Sequence, residues 1–336
     1  MKAKIATRYL QTGRADLSKV IPLQTPFLIF VDPSSRCNFA CRFCPCGNAH
    51  RDLWRVGRTA DIMPFDLFCK IIDDLEGFPD RIKTLRLYKD GEPLLNKNLP
   101  AMIGYARKKN FIERIDFTTN ASLLNKELSQ NILNAGVTRI IVSVEALSEE
   151  GYNEISNIKI NFQQYIDNIA FLYENSGDCI VFLKISDLGL KINEREKFFE
   201  LFGNICDEIA IESISPSWPD FDISDIKNDF KSDIYGSENL KESLVCPFIF
   251  YSICVNANGM ASACFSDWNH KLLAGDVKKQ SLVEIWNGDY MNRLRRMMLE
   301  GQRNKIDVCN HCGQLTYCAQ DSIDDSRTAL LEKMFG

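Results

Sequence analysis

The chain has 336 residues, of which 45% are hydrophobic and 25% charged, enough for one large domain with an appendage or for two modest ones. A net charge of -5 with no block of lysine and arginine gives no electrostatic reason to expect nucleic-acid binding. No apolar run approaches the roughly 20 residues of a membrane span, and the charged N-terminus lacks a signal-peptide core, so the expected location is the cytoplasm, with no membrane partner.

Residues 1 to 24 read as an N-terminal extension. "FLIFVD" (27 to 32) is the first run rich in branched and aromatic residues and reads as a buried strand. It is followed by "SRCNFACRFCPCGN" (35 to 48), which packs four cysteines into ten positions. Helical periodicity then appears at 64 to 77, where a proline stands at the start, and strand-like and helical runs alternate. The strands are 83 to 89, 114 to 119, 138 to 145, 179 to 186 and 208 to 215; the helices are 98 to 109, 124 to 134, 161 to 175 and 193 to 202. Six strands alternating with helices predict an α/β fold with a parallel sheet, and six units are too few for a closed eight-unit barrel. The expectation is a partial barrel over 25 to 215, with ligands gathered at the carboxyl ends of its strands.

Residues 216 to 245 carry Pro, Ser, Asp and Asn with little periodicity and read as a connector. "YSICVNANGMASACF" then predicts a β-hairpin with Asn258-Gly259 at its turn, and "SLVEIWNGDYMNRLRRMMLEG" predicts one helix. "CNHCGQLTYC" follows. Residues 246 to 322 therefore form a small cysteine-rich module in need of a staple, and 323 to 336 a tail.

Thirteen cysteines in a reducing compartment point to metal or redox chemistry rather than to disulfides. Cys37, Cys41 and Cys44 offer three thiolates on one loop. A cubane iron-sulfur cluster takes four ligands, so three leave one iron open to a chelating molecule. A closed zinc site wants four ligands and would have to recruit Cys46 or His50. Trp54, Trp218, Trp268 and Trp286 read as packing or rim residues. Cys69, Cys179, Cys206 and Cys254 read as buried small hydrophobes.

The loop resembles that of the radical S-adenosylmethionine (SAM) enzymes, which carry three cysteines after the first strand of a partial barrel and an aromatic residue, here Phe43, before the last. "DGEP" (Asp90, Gly91, Glu92, Pro93) resembles the family's Gly-Gly-Glu-Pro motif, with Asp90 departing from its first glycine. Asn120, Ser143 and Glu145 resemble polar positions that contact the ribose and methionine of SAM, and Lys184 a partner of its carboxylate. The resemblance implies a SAM-chelated 4Fe-4S cluster on Cys37, Cys41 and Cys44, fed by a reductase or flavodoxin-type electron donor. It further implies reductive cleavage of SAM and hydrogen abstraction from the substrate by the 5'-deoxyadenosyl radical.

The C-terminal module resembles the family's auxiliary-cluster domains, SPASM in full form and twitch in the shorter. Cys246, Cys264, Cys309 and Cys312 match one auxiliary 4Fe-4S cluster. Ser322 stands where another cysteine belongs in the full form, and no cysteine follows Cys318. Two clusters of three cysteines each, Cys246, Cys254, Cys264 and Cys309, Cys312, Cys318, form the rival arrangement. A zinc site in a non-enzymatic protein is the alternative from another class. Cys318 and Cys46 are candidate hydrogen donors, which an epimerase needs and a dehydrogenase does not. With 24 residues before the first strand, the expectation is that a leader-gripping domain is missing. The substrate expected is a carbohydrate, aminocyclitol or other small metabolite, dehydrogenated or epimerised, with maturation of a ribosomal peptide through a separate leader-binding partner as the alternative.

Overall fold

The computed structural model describes residues 1–7, 13–48, 58–191, 193–227, 229–319 and 321–336. His50 and Trp54 lie outside the described residues. Among these residues one sheet holds ten strands: β1 (Lys4–Ile5), β2 (Leu28–Val31), β3 (Ile82–Arg86), β4 (Ile112–Thr119), β5 (Arg139–Val144), β6 (Ile180–Ser186), β7 (Glu208–Glu212), β8 (Ser252–Val255), β9 (Met260–Ser262) and β10 (Leu273–Asp276). The order is β1-β7-β6-β5-β4-β3-β2-β8-β9-β10. β2 to β7 are the six expected parallel strands, each beside its sequence neighbour, and the two ends of the sheet do not meet. The fold is thus an open, partial α/β barrel.

Two additions extend that barrel. β1 lies in the N-terminal extension and pairs in parallel with β7. At the other edge β8 pairs in parallel with β2, matching Phe30 to Cys254, so the cysteine-rich module continues the barrel's own sheet. β8, β9 and β10 are then antiparallel. The β8–β9 turn is as expected, with Gly259 at a φ of +88°, a backbone that suits glycine.

The helices Phe65–Asp74, Leu99–Arg107, Lys126–Asn134, Phe162–Glu174 and Arg195–Phe202 fall within their expected ranges. An unexpected helix, Glu149–Ser156, starts where Ser148 Oγ accepts the Gly151 N–H and stops at left-handed Asn157. It carries the cysteine loop: its last carbonyls, on Ile155 and Ser156, accept the N–H groups of Arg42 and Ala40 at 3.0 and 2.9 Å. The single helix expected after residue 280 is two, Leu282–Asn287 and Asp289–Leu299, because Gly288 between them is extended. Buried Arg295 spans the break by donating to the Trp286 carbonyl at 2.9 Å and stacking over the Trp286 ring. Trp286 and Trp268 are buried and donate their indole N–H groups to backbone carbonyls.

Inside the barrel, Ile141, Phe182 and Ala210 form a small apolar layer separate from the main core between sheet and helices. Above it the register sets Ser143 beside Lys184 and Ser186 beside Glu212, at the carboxyl ends of β5, β6 and β7.

Candidate active site and cysteine groups

A cavity of about 290 Å³ opens at the carboxyl ends of the barrel strands. It is lined by Cys37, Cys41, Phe43, Cys44 and Cys46 from the loop after β2, by Asp90, Gly91 and Glu92 after β3, and by Asn120, Ser143, Glu145 and Lys184 beyond. The sequence-derived cofactor residues therefore converge on one space, save Pro93, which is buried at the start of a short turn. Trp218 stands on the cavity wall.

The cysteine loop is held by its backbone and its neighbours. Cys41 Sγ lies 3.2 Å from Ser156 Oγ. Cys37 Sγ accepts the Phe39 N–H at 3.4 Å and faces the Asn120 amide at 3.9 Å. Asn120 also donates to Asn38 Oδ1 at 2.9 Å, so it braces this loop from the end of β4. Gly91 is required where it is: a Cβ there would overlap the carbonyl oxygens of Arg36 and Ser34. The Glu92 N–H donates to the Arg36 carbonyl at 2.7 Å.

Four carboxylates at the cavity have different environments. Glu92 accepts from Leu94 N–H at 2.9 Å, Thr119 Oγ1 at 2.7 Å and Asn120 N–H at 2.7 Å, so its side chain is committed to joining the β3 and β4 loops. Burial nonetheless pushes its pKa up to about 7. Burial likewise pushes Glu145 up to about 7 against the attraction of Lys184. Glu212 lies 3.3 Å from the Lys184 ammonium. Thr119 falls in the stretch TTNA (118 to 121) whose resemblance had marked Asn120, whereas Glu212 is a cavity residue that sequence reading missed, because nothing local marks it.

The Asp90 carboxylate is fully enclosed and is contacted by Lys89, Arg58 and the His270 ring. Despite its burial, Lys89 and Arg58 hold its pKa well below the usual carboxylate range. Cys46, also fully buried, lies 3.8 Å from Asp90 Oδ1 and 3.5 Å from Arg58 Nη1.

In the C-terminal module, Cys246, Cys312, Cys309 and Cys254 lie near enough to Cys264 for their charges to raise its pKa, and Cys246 and Cys312 do the same to Cys309. Cys246, Cys264, Cys309 and Cys312 thus form one group, with Cys254 near Cys264 alone, and beside it Gly313 packs so closely on Pro216 that a Cβ would overlap its carbonyl. Cys318 lines the barrel cavity. Cys254 is buried on β8. Burial pushes the Cys37 and Cys246 thiols up to about 12 and raises Cys41, Cys264, Cys309 and Cys312 as well. Without a bound cation such thiols hold their protons, and a thiophilic metal removes them. Among the described residues no set of three or more His, Cys, Asp or Glu side chains converges at the distances of a single bound ion; the thiols of each group are neighbours, not ligands already closed on one point. The donor chemistry of both groups fits iron-sulfur clusters.

Comparison with known proteins agrees with this geometry. The S-adenosyl-L-methionine-dependent 2-deoxy-scyllo-inosamine dehydrogenase of Niallia circulans is 24% identical over 297 residues, 88% of this chain and 96% of that protein. A GTP 3',8-cyclase of Staphylococcus haemolyticus is 30% identical over 141 residues, 42% of this chain and 40% of that protein. Among solved structures, BtrN in complex with AdoMet and 2-DOIA superposes with a TM-score of 0.56 at 21% identity, covering 89% of this chain and 97% of that one. SuiB of Streptococcus suis bound to S-adenosylmethionine superposes with a TM-score of 0.63 at 15% identity, covering 92% and 76%. Residues 246–313 match the SPASM iron-sulfur cluster-binding domain. Residues 31–202 match the radical SAM superfamily, and the chain belongs to that superfamily.

Proposed function

We propose that the protein is a radical SAM oxidoreductase that dehydrogenates a hydroxyl-bearing carbon of an aminocyclitol or related small carbohydrate. The observation that carries this reading is the grouping of Cys246, Cys309 and Cys312 around Cys264. Cys246, Cys264, Cys309 and Cys312 suffice to ligate one auxiliary 4Fe-4S cluster on all four irons, which suits it to take an electron rather than to anchor substrate. The similarity to a dehydrogenase of an aminocyclitol along nearly the whole chain supports the same reading.

When bound, SAM and its cluster would supply carbon-sulfur cleavage and removal of one hydrogen atom from the carbinol carbon, and a cluster held by Cys246, Cys264, Cys309 and Cys312 would accept the second electron as the hydroxyl proton is lost to solvent and the carbonyl forms. The chain's own residues prepare this. Cys37, Cys41 and Cys44 would hold the cluster, and Gly91 lets the β3 loop lie against the backbone of the cysteine loop. Asn120 orients Cys37 through its amide, while Ser143, Glu145 and Lys184 offer polar contacts to SAM. Phe43, Trp218 and Phe265 help line the cavity and restrict water around the reacting atoms. A flavodoxin-type donor supplies the first electron, and the cytoplasm suits thirteen cysteines kept from pairing.

The test is to reduce the anaerobic protein with SAM and offer a panel of aminocyclitols that includes 2-deoxy-scyllo-inosamine. A substrate that accelerates 5'-deoxyadenosine release and yields a ketone supports the reading; S-adenosylhomocysteine as product sinks it. Epimerisation is the second reading, favoured by the position of Cys318 on the cavity wall, whereas the Cys46 thiol is buried against Asp90 and Arg58.

A further inference from the structure

Asp90 occupies the position of the first glycine in the resembled motif, and its side chain is completely buried. Lys89 Nζ donates to both of its oxygens at 3.0 Å, Arg58 Nη2 lies 3.3 Å away and His270 Nε2 2.7 Å away. Its backbone N–H donates to Asp32 Oδ1 at 3.4 Å. A glycine needs none of these partners, and so enclosed a carboxylate is tolerated only because cations and donors surround it.

This assembly spans the two cysteine groups. On one side Asp90 and Arg58 touch Cys46, two residues from Cys44. On the other, Lys89 donates to the Asp267 carbonyl at 3.0 Å and Arg58 to the Trp268 carbonyl at 2.5 Å, both in the loop that leaves Cys264. Asp267 in turn fixes that loop by accepting from the N–H groups of Lys271 and Leu272 at 2.9 and 2.8 Å. Lys89 is also in electrostatic contact with Cys254, itself a neighbour of Cys264.

Two buried cations, Arg58 and Lys89, here face the buried carboxylates of Asp90 and Asp267. A buried positive charge stabilises the more negative, reduced state of a nearby iron-sulfur cluster and so raises its potential.

We propose that Arg58, Lys89 and Asp90 are positioning residues that fasten the loop after Cys264 onto the SAM site and set the potential of the auxiliary cluster by their charges, the two cations raising it and Asp90 lowering it. This rests on the reading of Cys246, Cys264, Cys309 and Cys312 as that cluster's ligands.

The test is a redox titration of the anaerobically reconstituted full chain, following the auxiliary cluster by electron paramagnetic resonance. Lys89→Met should lower its midpoint potential and Asp90→Asn should raise it. Opposite shifts are what charge dictates, whereas loosening of the loop would move both variants the same way. Shifts of one sign, or none, with two clusters present overturn this proposal alone. A single cluster in the unaltered protein overturns it together with the ligand reading. Should Lys89→Met fail to fold, Arg58→Met removes the other cation and must give the same downward shift.

Discussion

The backbone N–H of Asn120 donates to Glu92 Oε2 at 2.7 Å, tying the end of β4 to the loop after β3. Through that bond a motif glutamate braces the cavity wall, and the neighbouring Asn120 side chain carries the brace on to Cys37.

Glu92 and Glu145 give the protein a defined pH response. Both have folded pKa values near 7, raised by burial from 4.5. The folded state therefore holds protons that the unfolded chain releases between about 4.5 and 7. Stability from these groups is full below about pH 4.5 and declines as pH rises to about 7, each adding a slope of about 1.4 kcal/mol per pH unit inside that window. Urea unfolding at a series of pH values should show the decline, and Glu92→Gln should remove one such slope. A stability that rises across the window contradicts the assignment.

Gly91→Ala should damage the site without touching a thiol. Its Cβ would overlap two backbone oxygens of the cysteine loop, so the loop must shift. Expected are a loss of about 1–3 kcal/mol in stability and reduced iron incorporation at the three-cysteine site. Unchanged unfolding and iron content would show that the loop yields freely.

Iron analysis separates the auxiliary ligands from Cys318. The unaltered, reconstituted protein should hold about eight irons per chain, as two cubanes require. Cys246→Ala should bring the count near four, and Cys318→Ala should leave it unchanged. A count of about twelve in the unaltered protein would instead support two auxiliary clusters of three cysteines each.

The six barrel strands were legible because each is a short, continuous apolar run buried on both faces, and the cysteine loop because its spacing stands apart from any packing pattern. Other features depend on distant partners. β1 is two residues long and exists only by pairing with β7. The helix Glu149–Ser156 contains Gly151, which weakens its local signal, and is secured by its Ser148 cap. Gly288 ends a helical pattern that reads as continuous, because the residues on either side keep the same periodicity. Asp90 read as a mild departure from a motif; its role as a hub appears only once His270, 180 residues later, folds against it.

The most direct test of the account is to run the reaction in deuterated water with the aminocyclitol that accelerates SAM cleavage, and to weigh the product. Dehydrogenation predicts a product lighter than the substrate by two hydrogens, with no deuterium on carbon and one substrate hydrogen recovered in 5'-deoxyadenosine. A product at the substrate's oxidation level that carries one carbon-bound deuterium, lost on Cys318→Ala while SAM cleavage continues, would contradict it and make the enzyme an epimerase.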